Sequence, residues 1–397
     1  MQLFHYTAKD KDGGVLNGEI EAENETAASK VLISRELIPV TIKLTEEKSF
    51  SFLNRVSLKD KVALMRQLST MITAGLPISQ SLKTLEEQTQ KKNIKRILAQ
   101  TGSDIEGGSQ LSVALSRFPE TFTTLDLTLI ASGETSGNLD KSLGRLAAQL
   151  EKQQSLIRKI RGAFVYPAFV IVVVIIVAAI MIVYVMPQME ELYNSFGAQL
   201  PFLTRLLISV SHFTTRFAPF IFIALIGFGI WLRIFIKRPT GKKLWDGFKL
   251  KIFGINILLQ KVYMARMSRT LSGLISSGVP LLDSMAITAK AIGNLIYEER
   301  VKASAKKVKS GIALSETLKG DPLFPPIVPQ MINVGERTGE LDSMLENMAN
   351  YFEEEVDNAV KNISNLIEPM VIVLLALIIG TMLVAIMMPI YSIGKVL

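Results

Sequence analysis

The stretch that decides the fold is "ASGETSGNLD", residues 131–140, because it occurs in the chain twice. Residues 333–342 read "NVGERTGELD", with Gly, Glu, Gly, Leu and Asp in the same order and spacing. After each copy, a helical pattern follows and runs into a long apolar segment. A turn that returns together with its neighbouring pattern indicates a duplicated structural unit, and such a repeat determines the fold.

The duplication extends to two further turn motifs. "AGLPISQSL" (74–82) corresponds to "SGVPLLDSM" (277–285), and "GGSQLSVAL" (107–115) corresponds to "SGIALSETL" (310–318). Between the turns, the apolar residues recur with a helical period. Six short amphipathic helices joined by short loops are typical of a compact bundle, so the sequence predicts two homologous six-helix bundles.

Three apolar runs account for a composition that is 49% hydrophobic, with a mean hydropathy of +0.33. They lie at residues 162–189, 217–232 and 369–394. A helix needs roughly 20 apolar residues to cross a bilayer, which the first and third runs supply. The middle run reaches that length, as 217–236, if Arg233 extends its charged end to the interface. The chain is therefore predicted to cross a membrane three times.

The net charge of +8 is concentrated beside these spans, as "RKIRG" (158–162) and "RIFIKRPTGKK" (233–243). This pattern favours retention of the flanking segments on the cytoplasmic side and argues against nucleic-acid binding. A single crossing between the two copies would leave the bundles on opposite sides of the membrane. The middle span returns the chain, so both bundles and the N-terminus are predicted to be cytoplasmic.

The first 44 residues are predicted to form a small ββαβ subdomain, because "LFHYTA" and "VLNGEIEA" alternate and are joined by "KDKDGG". The fold class is thus an all-α membrane protein with two cytoplasmic six-helix bundles, three transmembrane helices and this α+β subdomain. The predicted boundaries are 1–44 for the subdomain, 45–56 for a linker, 57–162 for the first bundle, 163–187 for the first span, 188–216 for an extracytoplasmic loop, 217–236 for the second span, 237–366 for the second bundle, 367–390 for the third span and 391–397 for an extracytoplasmic tail.

The sequence shows no motif of a known enzyme class. It has no phosphate-binding loop, no HExxH and no EF-hand pattern, its only histidines are His5 and His212, and it has no cysteine. We therefore predict no catalytic residue, no cofactor and no metal centre. The two long spans carry no ionisable residue, which disfavours a transporter of ions or polar solutes. A membrane-anchored enzyme or sensor is disfavoured by the missing motifs.

The repeated turns supply the candidate site residues. In the structural interpretation, Gly133 and Gly335 end a helix, the next glycine makes a turn, and the glutamate caps or pairs nearby. In the functional interpretation, the turns form a contact surface for a partner or a carboxylate-based ion site with Glu134 and Asp140 as candidate ligands. Two carboxylates alone make a poor calcium site. The candidates are Gly133, Glu134, Gly137 and Asp140 in the first copy, Gly335, Glu336, Gly339 and Asp342 in the second, and Gly75, Pro77, Gly278 and Pro280 in the Gly-x-Pro turns.

The chain resembles the inner-membrane platform proteins of type IV pilus and type II secretion machines. The resemblance covers nearly the whole chain and rests on the paired turns, the three spans and the opening "FHYTAKDKDGGVLNGEIEAENETAASKVL". It implies a multi-pass, non-enzymatic protein of the bacterial plasma membrane. It also implies contacts with a cytoplasmic hexameric ATPase, with pilin or pseudopilin subunits, with alignment-complex proteins, and between copies in a homodimer or larger oligomer.

Two functions remain open under this resemblance. One is the platform of a type IV pilus, which couples the ATPase to extraction of pilins from the membrane into the growing filament. The other is the platform of a type II secretion system, which drives a pseudopilus. Some members of the family have calcium in the first bundle, and here the resemblance carries over only Glu134 as a ligand.

Overall fold

The computed structural model of this chain describes residues 2–9, 15–22, 25–34, 37–44, 56–185, 187–188, 190–191, 202–252 and 254–393. The chain divides into two compact units, Met1–Val56 and Ser57–Leu397, which are described separately below.

The N-terminal unit contains three strands and one helix: β1 (Gln2–Lys9), β2 (Val15–Ala22), α1 (Glu25–Ser34) and β3 (Ile38–Leu44). The sheet order is β2-β1-β3, with both neighbours antiparallel to β1. Ala8 of β1 and Leu32 of α1 are fully buried, so the helix closes one face of the sheet. The described part of the predicted linker 45–56 is limited to Val56.

The first bundle begins at Ser57, whose hydroxyl accepts a hydrogen bond from the Asp60 amide and so caps the first helix. Its core consists of leucines and other apolar residues that recur with the helical period, among them Met65, Leu68, Leu129 and Leu143. The helices are α2 (Leu58–Thr73), α3 (Ile78–Gln88), α4 (Lys92–Glu106), α5 (Leu111–Ser116), α6 (Thr124–Thr135) and the first part of α7 (Leu139–Ile180).

Helix α7 continues without interruption from the bundle into the first apolar run, and a π-helical turn follows at Met181–Val185. Pro167 lies inside α7, and the helix continues through it. The last helix of the first bundle and the first predicted span therefore form one continuous helix. The next helix, α8 (Phe202–Lys237), contains the predicted middle span.

The second bundle repeats the first with one helix more. Pro239, at the first helical position, opens an additional short helix directly after α8, and this helix has no counterpart in the first copy. The sequence predicts six helices in the second bundle, and the structure adds this short helix before them. The helices are α9 (Pro239–Lys249), α10 (Ile255–Ser276), α11 (Leu281–Ala291), α12 (Leu295–Lys309), α13 (Leu314–Leu318), α14 (Ile327–Thr338) and α15 (Leu341–Ile393).

Among the residues that the structure describes, two helices are long and apolar enough to cross a membrane. They cover Leu139–Val185 and Leu341–Thr381, and their most apolar windows have mean hydropathies of 3.4 and 2.2. Only 6% and 0% of those windows is buried inside the molecule. Side chains such as Phe169 and Leu377 are more than 60% exposed. An apolar surface of this extent is stable only when lipid or another protein covers it.

The two bundles contact each other directly. The Ser132 hydroxyl in α6 donates a hydrogen bond to the Ser277 carbonyl, which follows α10. The Arg145 guanidinium in α7 donates to the Ser276 carbonyl at 2.5 Å. The two bundles therefore lie on the same side of any membrane that α7 and α15 enter.

Helices α7 and α15 also run alongside each other in the same direction. Lys152 pairs with Glu353 at 3.7 Å, and one to two turns further along, Lys159 pairs with Asp357. Between these ion pairs lies an apolar cluster that joins the first copy to the second. Its buried members are Leu156, Leu258, Val262, Val356, Ala359 and Val360.

The first bundle encloses an ion pair that the second lacks. The Lys61 ammonium contacts the Asp126 carboxylate and lies 5.5 Å from the centroid of the Phe122 ring. Asp126 also accepts hydrogen bonds from the amide and hydroxyl of Thr123 and so completes a capping box at α6. The corresponding residues of the second copy are Met264 and Val328, both fully buried, so an apolar solution to the same packing exists within this chain.

We predict that Asp126→Val lowers the free energy of unfolding by about 3–5 kcal/mol, because it leaves the Lys61 charge buried without a partner. The double variant Lys61→Met/Asp126→Val should recover most of this loss. A deficit of about 1 kcal/mol should remain, because the Thr123 amide and hydroxyl lose the carboxylate that accepts their hydrogen bonds. Denaturant unfolding of the purified chain in detergent measures both values. A double variant no more stable than the single one would contradict this prediction.

Candidate functional site

The first glycine of each repeated turn lies inside a helix rather than at its end. Gly133 is within α6, and a Cβ atom built on it would lie 2.4 Å from Cβ of Ser142 in α7. At Gly335 in α14, the corresponding Cβ would lie 2.8 Å from the Leu341 Cα. The prediction that these glycines end a helix is therefore wrong. They are glycines because the following helix packs directly against the backbone at this point.

The glutamate of each turn caps a different helix of its own bundle. The Glu134 carboxylate accepts hydrogen bonds from the Leu111 amide at 2.5 Å and from the Ser112 hydroxyl at 2.5 Å, at the start of α5. Glu336 accepts from the Leu314 amide and the Ser315 hydroxyl, both at 2.6 Å, at the start of α13. A carboxylate at a helix N-terminus satisfies free amides and complements the helix dipole.

The second glycine of each turn adopts a left-handed backbone conformation. Its φ is +67° at Gly137 and +77° at Gly339, a region that residues with a side chain rarely adopt. In the Gly-x-Pro turns, Gly75 and Gly278 have φ of +85° and +82°. Pro77 and Pro280 then stand immediately before α3 and α11. The positive φ angles at all four glycines agree with the structural interpretation, in which each glycine makes a turn.

The aspartates Asp140 and Asp342 occupy the first turns of α7 and α15. Both are half-buried, and an acidic residue in this position is stabilised by the helix dipole. The Ser272 hydroxyl of α10 donates to the backbone carbonyl of Asp342 at 3.0 Å. Each turn therefore joins three helices of its bundle: the one before it, the one after it and the one that its glutamate caps.

The geometry does not fit a calcium ion at Glu134. Its two carboxylate oxygens already accept from two amides and a hydroxyl, and those donors would be left facing a cation. Among the residues that the structure describes, no group of three or more His, Cys, Asp or Glu side chains could hold a metal. We therefore derive no function from calcium here.

Shifted pKa values in the two bundles follow from ion pairing and burial. Hydrogen bonds donated by Arg66 lower the pKa of the Glu151 carboxyl. Burial raises the pKa of the Tyr297 hydroxyl, which donates to the Leu323 carbonyl at 3.0 Å. Burial also lowers the pKa of the Arg266 guanidinium. None of these three groups belongs to the repeated turns.

The structure brings turns from different copies together at one place. Ser132 belongs to the first "SGE" turn, and Ser277 belongs to the "SGVP" turn of the second copy. The candidates Gly133 and Gly278 therefore flank the contact between the two bundles. The remaining candidates lie within their own bundles. Sequence reasoning missed Ser112 and Ser315 as partners of the glutamates, although both serines recur in the duplicated motifs.

The comparison with protein families identifies both parts of the chain. Residues 64–187 and 267–389 match the model described as "Type II secretion system (T2SS), protein F", once for each copy of the repeat. Residues 1–43 match the model of the N-terminal domain of the same family.

Curated relatives match over nearly their whole length. The chain is 38% identical to the type IV pilus assembly protein PilC of Thermus thermophilus, with 99% of this chain and 98% of the relative covered. It is 35% identical to PilC of Myxococcus xanthus, with 98% and 95% covered. It is 31% identical to the type II secretion system protein F of Pseudomonas aeruginosa, with 100% and 99% covered.

We predict that Gly133→Ala destabilises the chain by about 1–3 kcal/mol, because the new methyl group forces α6 away from Ser142. Gly162→Ala is the matched control, since a Cβ there meets nothing within 4 Å. The control should be neutral or slightly stabilising, because alanine favours a helix more than glycine does. Thermal unfolding in detergent compares the two, and equal melting temperatures would contradict the close-packing role.

We also predict that Glu134→Ala and Glu336→Ala each cost about 1–2 kcal/mol of stability, since each removes the cap of a short helix. Glu340→Ala, at an exposed position beside the second turn, should change stability by less than about 0.5 kcal/mol. Denaturant unfolding measures all three. A loss in only one of the two bundles would show that the glutamates are not equivalent.

Proposed function

Because the chain belongs to the family of type II secretion system protein F, whose members are structural platform proteins of pilus and secretion machines, we propose that it is the inner-membrane platform of a type IV pilus assembly machine. In this role it couples a cytoplasmic hexameric ATPase to the extraction of pilin subunits from the bilayer into the growing filament. Alignment-complex proteins and further copies of this chain complete the machine.

The observation that carries the proposal is the contact between the two bundles together with the parallel course of α7 and α15. Both bundles lie on one side of the membrane, and both long helices leave in the same direction. The chain must then return between α7 and α9. Helix α8 has 36 residues, about 54 Å at 1.5 Å per residue, which suffices for a third crossing.

The same geometry supports a way of transmitting force. The bundles form a joint body, and α7 and α15 connect it to the membrane without a flexible hinge in the described residues. A motor that turns or lifts the bundles therefore moves the spans with them. The two spans are almost wholly exposed, so they offer apolar faces along which pilin helices could leave the bilayer.

The placement in the cytoplasm follows from charge. Arg158, Lys159 and Arg161 flank the first span on the bundle side, and Lys237 and Arg238 end α8 on that side. Basic residues are retained on the cytoplasmic face, which supports cytoplasmic bundles and a cytoplasmic N-terminus. The boundaries of the three spans, 163–187, 217–236 and 367–390, are part of this proposal.

The second candidate is the platform of a type II secretion system, supported by the similarity to protein F of Pseudomonas aeruginosa over the full chain. The mechanics are the same, with a short pseudopilus in place of a pilus. The higher identity to two pilus assembly proteins favours the pilus.

Deletion of the gene in its own bacterium distinguishes the two. We predict that surface pili disappear while secretion of folded proteins into the medium continues, and that expression of the intact chain restores the pili. Loss of secretion with normal pili would favour the second candidate. Normal pili and normal secretion would contradict both.

Complementation with Arg145→Glu tests whether the bundles work as one body. This variant places a carboxylate against the Ser276 carbonyl and should weaken the contact between the bundles. We expect fewer surface pili, with normal amounts of the protein in the membrane. Lys141→Glu, at an exposed position one turn earlier in α7, is the matched charge control and should support normal piliation.

A further inference from the structure

Helix α9 has an exposed apolar face that the interior of the bundle does not explain. Leu244 is 67% exposed and Phe248 is 55% exposed, four residues apart and therefore on one side of the helix. Trp245 stacks on Phe248 with 5.9 Å between the ring centroids. This helix is the one that the duplication does not account for.

The opposite side of α9 is fixed to the second bundle. Asp246 is buried, and its carboxylate accepts a hydrogen bond from the Leu295 amide at the start of α12, at 3.0 Å. Lys243 pairs with Glu299 of α12 at 2.8 Å. These contacts determine which face of α9 turns outward.

The exposed apolar face of α9 is on the side of the helix that faces α8. Gly241 is buried against the last turns of α8, where a Cβ atom would lie 2.0 Å from the carbonyl oxygen of Phe235. Leu244 and Phe248 follow Gly241 at intervals of three and seven residues and so share its side of the helix. The apolar face of α9 is thus on the side from which α8 arrives, which is the membrane side if α8 spans the bilayer.

The charges around this face complement an anionic surface. Arg238 and Lys251 are exposed at the two ends of α9. The acidic residues nearby are already paired, Asp246 with Lys249 at 2.7 Å and Glu299 with Lys243. Basic residues close to an anionic leaflet strengthen membrane binding. Trp is enriched at the headgroup boundary, and Trp, Phe and Leu are typical of the apolar face of an interfacial helix.

We propose that α9 lies in the cytoplasmic leaflet as an interfacial helix, with Leu244 and Phe248 at the boundary of headgroups and acyl chains and Arg238 and Lys251 on anionic phospholipid headgroups. Such helices bury their apolar face about 5–10 Å into the leaflet. This inference rests on the proposed function, because it requires that α8 crosses the bilayer. Because Asp246 holds α9 against α12, an interfacial α9 also fixes the distance between the second bundle and the membrane.

The absence of cysteine from the chain allows a direct test with single nitroxide labels. The full chain, carrying Leu244→Cys or Phe248→Cys, is labelled and reconstituted in vesicles of phosphatidylethanolamine and phosphatidylglycerol. Lys243→Cys, on the bundle side of α9, is the matched control. Leu225→Cys, in the middle of α8, reports whether that helix spans the bilayer. Power saturation by oxygen and by a water-soluble nickel chelate gives the depth of each label.

We expect the labels at 244 and 248 to be more accessible to oxygen, at a shallower depth than the label at 225, and the label at 243 to be more accessible to nickel. Nickel-accessible labels at 244 and 248, with an oxygen-accessible label at 225, would overturn this inference and leave the span intact. A nickel-accessible label at 225 would instead overturn the third crossing. Spin–spin broadening at 244 would overturn the inference in favour of a second copy covering this face.

The binding of basic residues to anionic headgroups is tested separately. In vesicles of phosphatidylcholine alone, the labels at 244 and 248 should lie nearer the aqueous phase. The substitutions Arg238→Gln and Lys251→Gln should produce the same change in vesicles that contain phosphatidylglycerol. An unchanged depth in both cases would overturn the assignment of these basic residues to anionic headgroups.

Discussion

The parallel contact between α7 and α15 is the constraint on which the rest of the structure depends. The apolar cluster around Leu156 and Val356, with the Lys159–Asp357 pair beside it, holds the last helix of each bundle side by side. Because each of these helices continues into an apolar segment, the contact also sets the direction in which both segments leave the bundles. The contact places the two bundles on a common side of any membrane that these helices enter, and the proposed third crossing rests on it.

The repeated turns serve this arrangement from within each bundle. Glu134 and Glu336 tie the turn to the start of a short helix, and Gly133 and Gly335 allow the exit helix to pack directly against the helix before it. A force applied to the surface of a bundle therefore reaches α7 or α15 through fixed contacts. The same glycine and glutamate contacts occur in both copies, because each copy positions its own exit helix.

The repeat, the helical period and the two long apolar helices could be predicted from the sequence, because each depends on a local pattern. The contacts of Glu134 could not, since Leu111 and Ser112 are distant in sequence. Their joint recurrence as Glu336, Leu314 and Ser315 was nevertheless a usable signal. Gly133 was misinterpreted because a glycine near a helix end fits both a stop and a close approach. The buried pair of Lys61 and Asp126 could not be predicted, because the second copy has apolar residues at both positions. The sequence of α9 was interpreted only as part of a basic segment beside the second span.

The common side of the two bundles is the central claim, and labelling of single cysteines with a membrane-impermeant maleimide tests it most directly. Two variants of the cysteine-free chain suffice: Ser310→Cys, exposed after α12 in the second bundle, and Glu191→Cys, in the predicted extracytoplasmic loop. In intact spheroplasts, we expect position 191 to be labelled, and position 310 to be labelled only after the membrane is permeabilised. Equal labelling of both positions in intact spheroplasts would contradict it.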